Sequence, residues 1–455
     1  MKTNQRSELL GKEKILPLLF RLSIPSIFSM AVQAMYNIVD SIYVARLGTN
    51  ELAALSVAFP IQMVLISIGV GTGVGTSSLV ARCLGMKKQE EAANAERHVI
   101  IIAIVYGILG ALTGIFLSEN LIQLFTSDAL LISLGKEYIR IILMGSVTLF
   151  FTTIVDNMIR GEGNTVIPMI AMLIGAFTNI ILDPFLIYGI GPFPEMGVGG
   201  AALATVIARF ACCVFLIFIL ITGRNELQIN YKNFRLDISI FKEIYTVGFP
   251  TVIMQTLGSI MISLLNLILE LYSSTAIAAA GIYFKLQSFV FMPVVGLTHG
   301  YLPIMGYNYG HKKPERMKKT MKYTFLTAFS YTTLSFIIFQ LFPEGIVRLF
   351  NDDPELISIG SMVLKAISLS FPIAGPAIII STTFQSMGKG LPGLFLSLSR
   401  QLIILIPVFA LLGKYFGLNG VWYAFLIAEL LSFIPAVSWL RHDLKNVFLR
   451  METAE

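Results

Sequence analysis

Charge is scarce in this chain. Only 13% of its 455 residues are Asp, Glu, Lys or Arg, while 55% are hydrophobic and the mean hydropathy is +0.78. A soluble globular chain carries about 25% charged residues, so that class is excluded. No polar stretch is long enough to build a soluble domain, and the widest, 223–239, reads as a linker. Cysteine is equally sparse. Cys83, Cys212 and Cys213 follow no pairing pattern and are expected to be membrane-buried thiols, with neither a disulfide framework nor a metal site. The four histidines, His98, His299, His311 and His442, have no metal-ligand spacing. Without His-Glu-x-x-His or Gly-x-Ser-x-Gly, an intramembrane enzyme has little support. The run Gly69, Gly71, Gly73, Gly75 looks like a phosphate loop, but no Gly-Lys-Ser/Thr follows it, and Gly388-Lys389-Gly390 lacks the hydroxyl residue. Close helix packing is the better reading of the run. No cofactor, no metal and no catalysis are expected.

What the chain has is long apolar runs. Twelve of roughly membrane-spanning length cover 15–44, 53–83, 97–118, 133–159, 166–190, 199–222, 241–270, 276–305, 322–343, 355–385, 391–412 and 418–440. The fold class is therefore an all-α polytopic membrane protein. The first run follows Lys2, Arg6, Lys12 and Lys14 but is long and has no small-residue cleavage site, so it reads as a span and not as a cleaved signal. Several runs contain proline: Pro25, Pro60, Pro184, Pro250, Pro293, Pro372 and Pro407. Such helices bend where neighbours or water satisfy the freed carbonyl. If the N-terminal tail, alternate loops and C-terminal tail share one side, that side holds 25 of the 33 Lys and Arg residues, the other side six, and two lie within spans. Both termini are then expected to be cytoplasmic, in a multi-pass protein of the cell inner membrane. The net charge of +6 sits on short loops at a membrane face, which does not suggest nucleic-acid binding.

The chain also aligns with itself. At an offset of 225, Pro25 meets Pro250, Gln62 meets Gln287, Gly75 meets Gly300, Gly85 meets Gly310 and Lys87-Lys88 meets Lys312-Lys313. Further on, Asp128 meets Asp353, Gly135 meets Gly360 and Gly163 meets Gly388; later the offset is 220, with Gly197 and Gly200 on Gly417 and Gly420. Six spans per half is an even number, so both halves enter the membrane in the same direction. The expected architecture is two six-helix bundles, 1–225 and 226–455, related by a pseudo-two-fold axis along the membrane normal, which suits alternating access.

The repeat is broken at acids. Asp40 lies in the first span on a stripe with Gln33, Tyr36 and Asn37, and its counterpart is Leu265. A charge at the bilayer centre costs roughly 2.5–3.5 kcal/mol on insertion scales, which makes such an acid a functional candidate. Asn179 and Asp183 lie one turn apart in the fifth span, as do Ala201 and Thr205 in the sixth, and the counterpart of Asp183 falls near apolar Ile406. Two carboxylates with Asn and Thr oxygens in one half suit a proton or Na⁺; a purely structural hydrogen-bonded role is the alternative. In the other half the embedded ionisable groups are Lys285, a candidate for a cavity wall or gate, and Glu429, with Glu270 near a helix end. Arg209 and Glu429 occupy equivalent repeat positions; separate local pairing is favoured over a pair between the halves.

The chain resembles the multidrug and toxic compound extrusion (MATE) family over nearly its whole length. The similarity is carried by Tyr36-Asn37-Ile38-Val39-Asp40, Gly75-Thr76-Ser77-Ser78, Arg160-Gly161-Glu162-Gly163-Asn164, Asn179-Ile180-Ile181-Leu182-Asp183-Pro184, Gly197-Val198-Gly199-Gly200, Gln385-Ser386-Met387-Gly388 and Gly420-Val421-Trp422, in order and spacing. It is most similar to the DinF branch with its MepA-like bacterial members, since the seventh and tenth spans have no mid-membrane acid where the NorM branch carries them. The resemblance implies a cation site at Asp40, Asn179, Asp183 and Thr205 with the backbone of Ala201, and a substrate cavity at Gln33, Tyr36, Asn37 and Asn157, to which Lys285 and Gln287 are added. Pro25 is the expected hinge of the first helix. The implied activity is export of amphipathic, often cationic drugs in exchange for H⁺ or Na⁺, by a monomer whose only other partner is the bilayer. A lipid-linked substrate flippase of the same superfamily is the first alternative; its anionic headgroups would need a cationic cavity, and here the polar candidates are acidic apart from Lys285. An ion channel is the second, disfavoured by the two-lobed repeat and the lack of a filter-like segment.

Overall fold

A computed structural model describes residues 5–223, 227, 234–350 and 352–453. The expected boundary at 225/226 and part of the linker lie outside them. In hydrocarbon a backbone must satisfy its own polar groups, and the described residues form helices and no strand. In the first half these are α1 (Gln5–Lys12), α2 (Ile15–Ala45), α3 (Thr49–Gly85), α4 (Gln89–Phe116), α5 (Ser118–Gln123), α6 (Ala129–Met144), α7 (Ser146–Gly161), α8 (Val166–Tyr188) and α9 (Gly197–Ile221). The second half has α10 (Ile238–Leu269), α11 (Ser274–Gly310), α12 (Pro314–Leu341), α13 (Pro343–Arg348), α14 (Pro354–Ser368), α15 (Phe371–Ser386) and α16 (Gly390–Leu398). A π-helical turn over Ser399–Ile404 joins α16 to α17 (Leu405–Val421), and α18 (Ala424–Glu452) follows.

Ten of these segments are long and apolar enough to cross a membrane alone, and two bent pairs bring the number to twelve. The bent pairs are the spans expected at 133–159 and 355–385, the second of which carries Pro372. The first breaks between α6 and α7 by 53°, the second between α14 and α15 by 51°. Gly145 sits at the first break, and Pro372 in the first turn of α15 marks the second. A proline there lacks the N–H that would continue the preceding ladder. The run expected at 97–118 begins at Gln89, and that at 322–343 begins at Pro314, because each helix continues past the apolar stretch in charged turns. Gly417, at φ 62, interrupts the helical backbone inside α17, so the span expected to begin at 418 starts later, at Ala424.

The repeat is written in the backbone. At the offset of 225, α3 matches α11, α4 matches α12 and α5 matches α13, residue for residue at both ends. Asp128 caps α6 by accepting from the N–H groups of Leu130 (2.8 Å) and Leu131 (3.1 Å). Asp353 does the same for α14 through Glu355 (2.8 Å) and Leu356 (3.1 Å). After α3 and α11 the chain turns through Lys87 (φ 61) and Lys312 (φ 54), left-handed conformations uncommon outside glycine. Each belongs to a Schellman closure: Lys88 N–H donates to Cys83 (2.9 Å) and Lys313 N–H to Asn308 (3.0 Å). Gly163 (φ 84) and Gly388 (φ 80) form a second matched pair of such caps.

The halves meet along glycine-lined contacts that come in symmetric pairs. On α3, Gly71 and Gly75 lie against Val252, Gly248 and Ile244 of α10; on α11, Gly296 and Gly300 lie against Ile27 and Ser23 of α2. Gly85 of α3 abuts Tyr307 of α11, while Gly310 of α11 abuts Arg82 of α3. Each pair maps onto its mate at the offset of 225, the signature of an isologous contact about a two-fold axis. Polar bonds reinforce the seam. His311 Nδ1 donates to the Gly85 carbonyl (3.0 Å), Ser78 donates to the Gln385 carbonyl (2.5 Å), and Arg82 pairs with Glu243 (3.2 Å). Asn308 and Arg316 hold the Leu10 carbonyl of α1, both at 3.1 Å. Among the described residues these bonds between halves lie in the half of the molecule that carries the Lys- and Arg-rich loops, called here the basic end. The fold is thus closed at that end.

A side chain at Gly310 would collide with the Arg82 backbone. Overpacking of this kind costs about 1–3 kcal/mol, a shift of roughly ten- to a hundredfold toward separated helices. In Gly310→Val, Cys83, buried beside the seam, is expected to react with a maleimide at least about tenfold faster than in the wild type, with Cys212 and Cys213 changed to Ser in both. An unchanged rate would show that closure does not depend on this approach.

Candidate functional site

The acid site is built from three helices of the first half. Asp40 lies near the end of α2 away from the basic end, Asn179 and Asp183 on α8, and Ala201 and Thr205 on α9. Four-residue spacing puts Asn179 and Asp183 on one face, and Asn179 Nδ2 donates to Asp183 Oδ1 at 3.2 Å. The same amide group reaches Thr205 Oγ1 at 3.5 Å. What lets α9 come this near is Gly200, where a Cβ would overlap the Leu186 carbonyl of α8. The side chains of Asp40 and Asp183 lie within interaction range of each other, as do those of Tyr36 and Thr205. Asp183, Asn179 and Thr205 are buried, and Asp40 is half-buried. Asp40 Oδ1, Asn179 Oδ1 and Asp183 Oδ2 are buried with no hydrogen-bond partner. Three acceptor oxygens without a protein donor form a site short of positive charge.

The other sequence candidates divide. Tyr36 joins the acid cluster, Gln33 is half-buried and Asn37 is exposed on the same helix. Ala201 is buried one turn before Thr205, in an apolar cluster with Val44 and Ile187. Its position inside unbroken α9 commits its carbonyl to the helix ladder. Asn157 is buried on α7 nearer the basic end, donating to the Thr153 carbonyl (2.8 Å) and packed against Gly73. Lys285 and Gln287 lie on α11 of the second half, and neither forms a hydrogen bond or ion pair among the described residues. Arg209 is near enough to Tyr36 and Tyr138 to act on them electrostatically. Glu429 pairs with Arg400 at 3.2 Å, so these two repeat-equivalent residues are engaged separately. Pro25 lies inside α2, which is helical without a break from Ile15 to Ala45.

Two groups were missed in the sequence. Tyr138 of α6 approaches the acid cluster, and its hydroxyl accepts from Gln62 Nε2 of α3 at 2.7 Å. Gln62 stood out only as a repeat match, and nothing local marks Tyr138. Asp156 of α7 is a third embedded acid of the first half, so the expectation of two is short by one. It lies within electrostatic reach of Arg160, one turn on, which in turn acts on His299 of α11. Its Oδ1 is buried without a partner. The signal was present: Asp156 interrupts an apolar stretch, and its counterpart is Ser381.

Twelve spans in a twofold repeat, sealed at one end and carrying an acid cluster in one half, are the architecture of a multi-pass membrane transporter. The family model MatE matches the chain twice, over residues 25–185 and 250–411, and the chain belongs to the MatE family. It is 27% identical over 438 residues to the multidrug export protein MepA of Staphylococcus haemolyticus, covering 96% of this chain and 95% of that one. Among solved structures, a MATE in the bent conformation superposes with a TM-score of 0.93 at 27% identity, over 99% of this chain and 100% of the other. An outward-facing multidrug resistance MATE transporter superposes with a TM-score of 0.92 at 27% identity, over 98% and 99%.

The approach at Gly200 generates a test. Gly200→Ala pushes α9 from α8 and separates Thr205 from Asn179, at a cost of about 1–3 kcal/mol. Transport by this variant is expected to fall about tenfold while immunoblots show normal membrane levels. Wild-type transport would mean that Thr205 is not needed at this distance.

Proposed function

We propose that this protein is a cation-coupled multidrug exporter, taking up H⁺ or Na⁺ as it releases amphipathic, often cationic compounds by alternating access. The observation that carries the reading is the set of three unpartnered oxygens on Asp40, Asn179 and Asp183. Two carboxyl groups this near each other need a shared proton or a bridging cation between them, which makes their arrangement sensitive to cation uptake. The name of the staphylococcal relative, a multidrug export protein, supports the substrate class.

In this reading both termini are cytoplasmic and the protein sits in the cell inner membrane, so the basic end, where the halves are bonded, faces inward. The two bundles, 1–225 and 226–455, are the rocking bodies. A cation entering from outside neutralises Asp40 and Asp183 and removes the repulsion that holds α2 in its present relation to α8. Pro25 offers the place for α2 to yield, because its missing N–H leaves the Arg21 carbonyl without a helical donor. MATE structures solved in a bent and in a straight conformation support a change of shape. Substrate then leaves a cavity lined by Gln33, Tyr36, Asn37 and Asn157, with Lys285 and Gln287 across from them, and the lobes rock. A membrane potential of 100 mV supplies about 2.3 kcal/mol for each charge moved.

Reconstituted full-length protein should accumulate a cationic dye against its gradient when either an H⁺ or a Na⁺ gradient, imposed separately, drives it. Asp40→Asn and Asp183→Asn should each reduce this uptake to the level of empty vesicles while remaining folded by thermal unfolding. Wild-type uptake in both variants, or uptake independent of both gradients, would overturn the reading.

A further inference from the structure

A groove of about 600 Å³ opens on the outer surface of the second half, where α12, α15 and α18 meet. Its walls are Phe325, Phe329, Phe433 and Phe448, and Pro376 forms its buried floor. At the basic end it continues into a second depression of about 400 Å³ that shares Leu444 and Phe448 and adds Arg441, Lys445 and Glu452. Lys318 and Lys322 stand on the opposite rim. Lys318 pairs with Glu315 at 2.9 Å and sits 5.1 Å above the Phe448 ring. Lys322, Arg441 and Lys445 are exposed and form no ion pair among the described residues. The rim therefore carries four cations against two acids, Glu315 and Glu452.

The first half treats the equivalent face differently. At the offset of 225 the lining positions of α12 correspond to Ala93, Glu96, Arg97 and Ile100 of α4, which are buried, and to Ile101 and Ile104, which are exposed. There the segment that connects the two halves packs on α4. Asn94 Nδ2 donates to the Arg235 carbonyl (3.1 Å), His98 Nε2 accepts from the Asp237 N–H (2.9 Å), and the Phe234 ring lies 5.0 Å from that of His98. An apolar slot that begins among unpaired cations and runs toward the interior of the span fits a molecule with a negative head and a hydrocarbon tail.

We propose that this groove is a binding site for one anionic phospholipid, with an acyl chain against Phe325, Phe329 and Phe433 and the headgroup phosphate between Lys322 on α12 and Arg441 and Lys445 on α18. Basic pockets between membrane helices select anionic headgroups in this way. Bound there, the lipid ties α12 to α18.

Native mass spectrometry of the full-length protein, titrated with dioleoyl phosphatidylglycerol, dioleoyl phosphatidylcholine or glycerol phosphate, tests the site. Phosphatidylglycerol is expected to bind about tenfold more tightly than phosphatidylcholine, and glycerol phosphate not to compete. Lys322→Gln with Lys445→Gln should abolish that preference, and a control pair away from the groove, Lys136→Gln with Lys414→Gln, should preserve it. Leu326→Trp, which fills the groove, should weaken the binding of phosphatidylglycerol without altering thermal unfolding. Equal affinity for the two lipids, competition by glycerol phosphate, or an equal loss in the control pair would each overturn the assignment.

Discussion

Close approach of helix backbones at the two-fold seam is the constraint on which the rest of this structure depends. Between helices in a bilayer the hydrophobic effect offers little, so association rests on van der Waals contact and hydrogen bonds across small residues. Gly71, Gly75 and Gly85 on α3, with their mates Gly296, Gly300 and Gly310 on α11, leave room for the partner backbone where any side chain would collide. These contacts fix how the halves meet and which end is shut. They also place α2 so that Asp40 lies beside Asp183 of α8, with Tyr138 of α6, bonded to Gln62 of α3, near Asp40.

The seam is symmetric and the chemistry is not. The second half pairs its own embedded acid, Glu429, with the Arg400 guanidinium, which balances its charge although Oε2 has no hydrogen-bond partner. The first half brings two carboxyl groups together and leaves three oxygens without donors. A symmetric scaffold with one charge-deficient site gives a single half the power to respond to a cation, while the matched seam gives both halves the same axis about which to move. Asp156 and Arg160 of the first half and His299 of the second add polar side chains from both halves nearer the sealed end, on either side of that seam.

Much of this was legible. The twelve spans follow from apolar length alone, and the repeat followed from glycine, proline, lysine-pair and aspartate matches in one frame. The structure gives these residues their reasons: Lys87 and Lys312 hold left-handed caps, Asp128 and Asp353 cap twin helices, and the glycines mark backbone contacts. The 53° break at Gly145 was not legible, because a bend inside a continuous apolar run changes direction without changing hydropathy, whereas the 51° break had Pro372 as its sign, one of seven such prolines. Nor was Tyr138, since a tyrosine in a span is ordinary until a distant helix brings an acid to it.

By itself the sequence determined the class, the repeat and the embedded acids Asp40 and Asp183, because burying a charge or breaking a helix in hydrocarbon is costly enough to leave a mark at each position. Only the tertiary structure decided which groups meet. It joined Asp40 of α2 to Asp183 of α8, set Thr205 and Tyr36 beside them, and kept Asn157, Lys285 and Gln287 out of hydrogen-bond contact with the acids. Hydropathy and spacing act along one helix, whereas a site made by several helices depends on how far their backbones approach and at what rotation, and that is set by packing at the seam.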